Sequence, residues 1–324
     1  MVEIGYAISS EEHAPTDLVR WGRRAEEAGF SFAMISDHFH PWIERQGHST
    51  FVWSVLGAIA QVTDEIKVGT GVTCPIIRTH PAIIAQASAT VAEMIPGRFW
   101  LGVGSGEALN EHITGEYWPP VDVRREMLEE AMDVIRLLWS GDMVDHHGTY
   151  YDVVDAKIYD APREQPPILV AAGGAQSAEL AAVAGDGIIV TSPDKKLLDA
   201  YESAGGRGPR IGQVAVCWAR DEAEARRTAY EWWPTAAVRG ELSQELPLPR
   251  HFEQACENVS EDDVAKVIVC GPDLERHLAA IREYVDAGFD HVYVHQIGPD
   301  QEGFFQVYGR EVVPAVRSAL SAVR

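Results

Sequence analysis

The sequence predicts an α/β fold, a (β/α)8 TIM barrel, on three observations. Eight short runs are rich in β-branched and aromatic residues, amphipathic stretches separate most of them, and 324 residues accommodate eight such units with insertions. Parallel strands need long crossovers of this kind, whereas hairpins do not. A doubly wound open sheet shares the alternation and is the alternative. No linker rich in Ser, Gly or Pro offers a cut, so residues 1–324 read as a single domain.

Val2–Ala7 is the first strand. Thr16–Ala28 is a helix because it opens behind Ala14-Pro15 and closes near Gly29. Phe32–Ser36 and Ile66–Val72 are strands two and three. Ala82–Ile95 starts after Pro81 and stops at Pro96-Gly97, and Phe99–Gly104 is strand four. Helix Arg124–Trp139 precedes strand five, Ile168–Ala172, which leads into helix Ala175–Ala184. Strands six and seven are Gly187–Thr191 and Ile211–Trp218, with helix Asp221–Trp232 behind them. Helix Asp273–Ala287, strand His291–Gln296 and helix Glu302–Arg317 complete the series. Three stretches, about 107–124, 140–166 and 234–263, are too long for simple connections and are expected to cover the barrel mouth.

The 27 Lys and Arg against 49 Asp and Glu leave a net charge of −22, which argues against nucleic acid or an anionic membrane as partner. No apolar run is long enough to span a bilayer, and Met-Val-Glu-Ile-Gly-Tyr lacks a basic leader region, so a cytoplasmic protein is expected. Cys74, Cys217, Cys256 and Cys270 form no C-x-x-C and read as reduced thiols.

In a barrel, chemistry sits where strands end. Ser36-Asp37-His38-Phe39-His40-Pro41-Trp42 follows strand two, Thr73-Cys74-Pro75 follows strand three, and Gly104-Ser105-Gly106-Glu107-Ala108-Leu109-Asn110-Glu111 follows strand four. His38 and Glu107 are a proton-carrying pair suited to general acid–base work; a structural His and a first-turn carboxylate are the plainer alternatives. Gly173-Gly174 at a helix start is either an anion seat or a tight turn. His38-x-His40 admits a metal hydrolase, but the later strands add only His295, so no metal site is expected. Gly102-x-Gly104-x-Gly106 lacks a dinucleotide-binding context, and Gly104-Ser105-Gly106 lacks the spacing of a nucleophile elbow. Trp42, Trp53, Trp118, Trp218, Trp232 and Trp233 fall near strand ends and insertions, as walls for a flat ring or as core filler.

Ser36 to Trp42 together with Gly104 to Glu111 resemble the luciferase-like barrel enzymes that use the deazaflavin coenzyme F420, in the subgroup of glucose-6-phosphate dehydrogenase and secondary-alcohol dehydrogenase. Thr73-Cys-Pro-Ile-Ile-Arg78, His80-Pro-Ala-Ile-Ile-Ala-Gln86, Pro96-Gly-Arg98, Leu138-Trp-Ser-Gly141 and Ala171-Ala-Gly-Gly174 extend the resemblance over the whole chain. It implies hydride transfer between a substrate carbinol carbon and C5 of the deazaflavin. His38 would exchange the substrate hydroxyl proton, Glu107 would serve the coenzyme N1, and Trp42 would steady the intermediate. Asp37, Cys74, Ser105, Gly106 and Asn110 would contact the ring and ribityl chain. Gly173, Gly174, Gln176 and Ser177 would seat the coenzyme phosphate, with Ala171 and Ala172 beside them. The resemblance also implies a cis bond at Gly71-Val72 and a homodimer.

One departure bears on substrate. Where the sugar-phosphate members hold phosphate with Lys, Lys and Arg, this chain has Asp194, Ser243 and Val267. Each lost charge-assisted hydrogen bond is worth about 1.5–3 kcal/mol. With Thr191, these residues are candidate substrate contacts. The expected substrate is a small molecule, an uncharged alcohol, aldehyde or unphosphorylated sugar. The alternatives are glucose-6-phosphate, held by a shifted Lys195, Lys196 or Lys266, an FMN-dependent monooxygenase, and a non-catalytic barrel.

Overall fold

The computed structural model describes residues 2–238 and 240–319. In chain order the strands are β1 (Glu3–Ile8), β2 (Phe32–Ile35), β3 (Lys67–Thr70), β4 (Phe99–Val103), β5 (Val144–His147), β6 (Asp152–Ala156), β7 (Ile168–Ala171), β8 (Gly187–Val190), β9 (Arg210–Cys217), β10 (Val269–Cys270) and β11 (His291–Gln296). The parallel order β1-β2-β3-β4-β7-β8-β9-β11 returns to β1, where Glu3 registers with His291, so the sheet closes as an eight-stranded barrel. Closure excludes the open doubly wound sheet. β10 adds a short parallel step at the top of β9, pairing Val269 with Val216 and Cys270 with Cys217.

Two layers of core hold this cylinder. Outside it, helices α1 (Pro15–Glu27), α2 (Val52–Ala60), α3 (Pro81–Met94), the short α4 (Ala108–Glu111), α5 (Val121–Leu138), α6 (Ala175–Val183), α7 (Lys195–Ser203) and α8 (Glu222–Trp232) come between the strands. The long helices bury apolar faces against the strands, as Leu18, Trp21 and Ala25 do from α1. Inside it, Ala7, Phe32, Met34, Trp100, Leu169, Ile189, Ile211 and Tyr293 form a separate cluster, and Val72 packs over it. The largest interior rings fit because glycines face them. A Cβ on Gly5 would meet the Phe32 ring at 2.4 Å, and one on Gly69 would meet the Trp100 indole at 1.7 Å. The interior is thus packed, and chemistry is confined to its rim.

Several expected elements need correction. β3 ends at Thr70 rather than Val72, because the chain leaves the ladder there and returns as a lone bridge from Thr73 to Val103. The Gly71-Val72 peptide is cis, as the resemblance implied. α2 is missing from the expected series because Val52 to Ala60 has almost no polar face to give it a period, and α7 is missing as well. The expected helix Glu302–Arg317 is Gln301–Val307, a π turn over Tyr308–Val312, and Val313–Ala319. The 140–166 insertion contains the antiparallel hairpin β5–β6, pinned where the Glu130 carboxylate accepts from the backbone N–H groups of Thr149, Tyr150 and Tyr151. The 234–263 insertion folds into short helices, among them Pro249–Ala255, whose Phe252 is buried.

Gly69→Ala should destabilise the protein by roughly 3 kcal/mol, since the added carbon must displace the interior indole. Urea unfolding of the variant measures this, and a loss below about 1 kcal/mol would show that Trp100 can move aside.

Candidate active site

The loops after β1, β2, β3 and β4 converge at the rim. The loop after β2 begins at Ser36, whose hydroxyl donates to Glu11 Oε2 at 2.5 Å, and Ser9 Oγ donates to the same oxygen at 3.1 Å. His38 Nε2 faces the other oxygen, Glu11 Oε1, at 3.4 Å. On its far side the His38 ring approaches Trp42, with centroids 5.1 Å apart, and Trp42 stands edge-on to Phe252 at 5.1 Å. Trp42, Ile43, Leu109, Leu246 and Phe252 make one apolar wall.

Asp37 is buried and turned away from His38. Its carboxylate accepts from the Thr73 hydroxyl and from Arg78 Nη2 at 2.9 Å. Arg78 also reaches α4: its backbone N–H donates to Glu111 Oε2 at 2.7 Å, and its Nε lies 3.4 Å from Glu111 Oε1 without a hydrogen bond. Burial lowers the tendency of Arg78 to stay charged, but Asp37 and Glu111 outweigh it and strengthen its hold on the proton. Burial pushes the Glu111 carboxyl up to about 7 against the opposing pull of Arg78. The Cys74 thiol is raised well above its ordinary value, first by burial and then by Glu111 and Glu107, so it remains protonated.

Glu107 occupies the N-cap position of α4 without a side-chain cap bond, and Asn110 Nδ2 donates to its Oε2 at 3.4 Å. Gly106 is fixed twice over, by φ +74° and by Cys74 Sγ, which lies 2.5 Å from where its Cβ would be. Ser105 is half-buried beside it. Across the rim, Ala171, Ala172, Gly173 and Gly174 lead into α6. Gly174 caps that helix without a side-chain bond, and an added Cβ on Gly173 or Gly174 meets nothing within 4 Å. Gly174 is extended at φ −157°, and open space lies over the bare helix start with Gln176 exposed and Ser177 half-buried nearby.

The structure therefore brings His38, Trp42, Asp37, Cys74, Glu107 and Asn110 together. Among the described residues no hydrogen bond or ring contact joins Thr191, Asp194, Ser243 or Val267 to them. Asp194 caps α7 by accepting from Lys196 N, and Val267 is an exposed turn residue. His40 does not pair with His38 towards an ion: its Nδ1 meets the Leu109 carbonyl at 2.9 Å, while His295 is bound to Glu12 at 2.8 Å. Trp53 packs in the core against Phe99, and Trp118 lies under the Arg124 guanidinium. Sequence reasoning missed Glu11, and it named Arg78 and Glu111 only as members of motifs, without a place in the site. The polar run Ser9-Ser10-Glu11-Glu12-His13 ends the first strand and would have flagged Glu11 by the rule applied to the others.

Comparison with known proteins now decides the family. Residues 1–291 match the model of the luciferase-like monooxygenases. The chain belongs to that luciferase-like family. It is 38% identical to an F420-dependent glucose-6-phosphate dehydrogenase of Kribbella flavida, over 98% of each chain. It is 36% identical to the protein of the same description from Amycolatopsis mediterranei, over 98% of this chain and 99% of that one. A solved F420-dependent secondary alcohol dehydrogenase, in complex with an F420-acetone adduct, superposes with a TM-score of 0.89 at 31% identity, covering 97% of this chain and 99% of that one. Among the described residues, no helix is long and apolar enough to cross a membrane.

Folding raises the Glu111 carboxyl above its ordinary value, so the folded state holds that proton more tightly. The associated stability is complete below about pH 4.5 and is lost as pH climbs through about 7, a decline of up to about 3 kcal/mol. Glu111→Gln should flatten this slope in urea titrations across that window. A slope as steep as the parent's would assign the pH dependence to other groups.

Proposed function

We propose that the chain is an F420-dependent oxidoreductase acting at the carbinol or carbonyl carbon of an uncharged alcohol or sugar-like molecule. The convergence of His38, Glu11, Asn110 and Glu107 on one barrel rim is the observation that carries this reading. When bound, the deazaflavin supplies a two-electron hydride acceptor or donor at C5.

The residues present fit such a coenzyme. The open start of α6 at Gly173 and Gly174 offers backbone N–H groups to its phosphate without a lysine, beside Gln176 and Ser177. Gly71, Val72 and Cys74 line the rim between β3 and β4, with Ser105 and Gly106 opposite, as a floor and edge for a flat ring. Glu107 holds or gives a proton at the edge of that ring, while His38 holds the substrate oxygen and exchanges its proton. Trp42 and the Phe252 wall exclude water beside the reacting carbon.

Substrate charge is read from the cations. Of the lysines a shifted register could use, Lys195 pairs with Asp199 and Lys266 with Asp263 at 2.8 Å, while the positions that match the clamp itself, Asp194, Ser243 and Val267, carry no positive charge. This favours an uncharged substrate over glucose-6-phosphate. A homodimer is supported by Phe51, Ile83 and Met94, which expose apolar surface around α2 and α3.

Fluorescence titration with the deazaflavin and, separately, FMN tests the reading: tight binding of the deazaflavin alone supports it, and preference for FMN moves the chain to flavin chemistry. His38→Ala and Glu107→Gln should each lower the turnover of an accepted alcohol by about 10²-fold or more while the fold persists. Turnover retained in both would remove His38 and Glu107 from the chemistry. The combined change Asp194→Lys, Ser243→Lys and Val267→Arg should create activity on a phosphorylated sugar; without it, something other than missing cations rejects phosphate.

A further inference from the structure

Asn110 is only 2% exposed, yet all four hydrogen-bonding positions of its side chain are occupied. Oδ1 accepts from the backbone N–H groups of Phe39 at 2.8 Å and His40 at 3.2 Å. Both are donors only, so the amide cannot be turned over without setting its own N–H groups against them. Nδ2 is therefore the donating end, and it lies 3.1 Å from His38 Nδ1 and 3.4 Å from Glu107 Oε2. A proton on His38 Nδ1 would face the amide protons. The His40 carbonyl, 3.3 Å from Nδ1, offers that proton a weaker reward.

We propose that Asn110 is a positioning residue that fixes the tautomer of His38, with Nδ1 unprotonated and Nε2 carrying the hydrogen, and that it ties His38 to Glu107. The consequence for catalysis rests on the function proposed above, whereas the tautomer stands on geometry alone. Neutral His38 then presents an N–H to the rim, not a lone pair. It enters the reaction as a hydrogen-bond donor to a carbonyl or developing alkoxide oxygen, and Glu11 is the adjacent acceptor. The charged and titratable groups around the ring are consistent with this division. Glu11 faces Nε2 from the loop after β1, and Glu107 is reached only through the Asn110 amide. Asp37 is spent on Arg78 and Thr73, and His40 is turned to the Leu109 carbonyl. Asn110 then serves the coenzyme only indirectly, through the two groups it holds.

The test begins with the free protein. In 15N NMR of labelled histidine at a pH where imidazole is neutral, the His38 resonances are identified by their loss in His38→Gln. Nδ1 is expected to read as the unprotonated nitrogen and Nε2 as the protonated one. In Asn110→Asp the two backbone bonds survive but the donor becomes an acceptor. There the tautomer should invert, and the acid limb of the kcat/KM profile should move to higher pH by roughly one to three pH units. Coenzyme affinity, followed by fluorescence alongside, separates a change of tautomer from the loss of a ring contact. A protonated Nδ1 in the parent protein overturns the proposal without need of any variant. So does an Asn110→Asp protein that loses coenzyme affinity while the His38 tautomer stays put, since that makes Asn110 a ring contact. The predicted tautomer in a protein that binds no deazaflavin would sustain the role of Asn110 and sink the functional reading instead.

Discussion

The rim is organised around one buried cation. Arg78 comes from the loop after β3 and lies between Asp37, after β2, and Glu111, at the end of α4. A guanidinium this far from water is held only by partners that compensate its desolvation, and removing it would leave two carboxylates buried near each other. Its partners are neighbours in sequence of the reactive groups: Asp37 immediately precedes His38, and Glu111 immediately follows Asn110. The clamp therefore sets the spacing between the two loops that carry His38 and Glu107, and the Asn110 amide closes that spacing from the pocket side.

The barrel contributes by being full. With Phe32, Met34, Trp100 and Tyr293 filling its interior and Gly5 and Gly69 making room for them, no ligand can enter the cylinder. Everything that binds must do so on the strand ends, where Val72 forms the floor and the start of α6 offers its unpaired N–H groups. A helix start of this kind attracts an anion without a cation beside it, which suits a chain whose charge balance is strongly acidic.

Much of this was legible in the sequence where local chemistry dictates the outcome. The eight barrel strands follow from β-branched runs spaced by amphipathic helices, and their ends differ from expectation by a residue or two. His38, Trp42, Glu107 and Asn110 were visible because they sit in dense polar strings directly after strands. What stayed hidden depends on contacts between distant segments. α2 carries little period because Ser54 is its one polar side chain, and the hairpin β5–β6 depends on Glu130, a helix residue that no local pattern connects to it. Arg78 and Glu111 were within the quoted motifs, but only the fold shows that they meet. Glu11 lay in a polar run as informative as the others, and its pairing with His38 needed β1 and β2 to be neighbours.

The proposed function requires a deazaflavin to lie across this rim, between the His38–Asn110–Glu107 unit and the open start of α6. A crystal structure of the protein with the oxidised coenzyme tests it most directly. The ring should contact Val72 and Cys74 with Glu107 at its edge, and the phosphate should rest on the backbone of Gly173 and Gly174. A coenzyme bound elsewhere, or a ring that leaves Glu107 and the α6 terminus untouched, would contradict it.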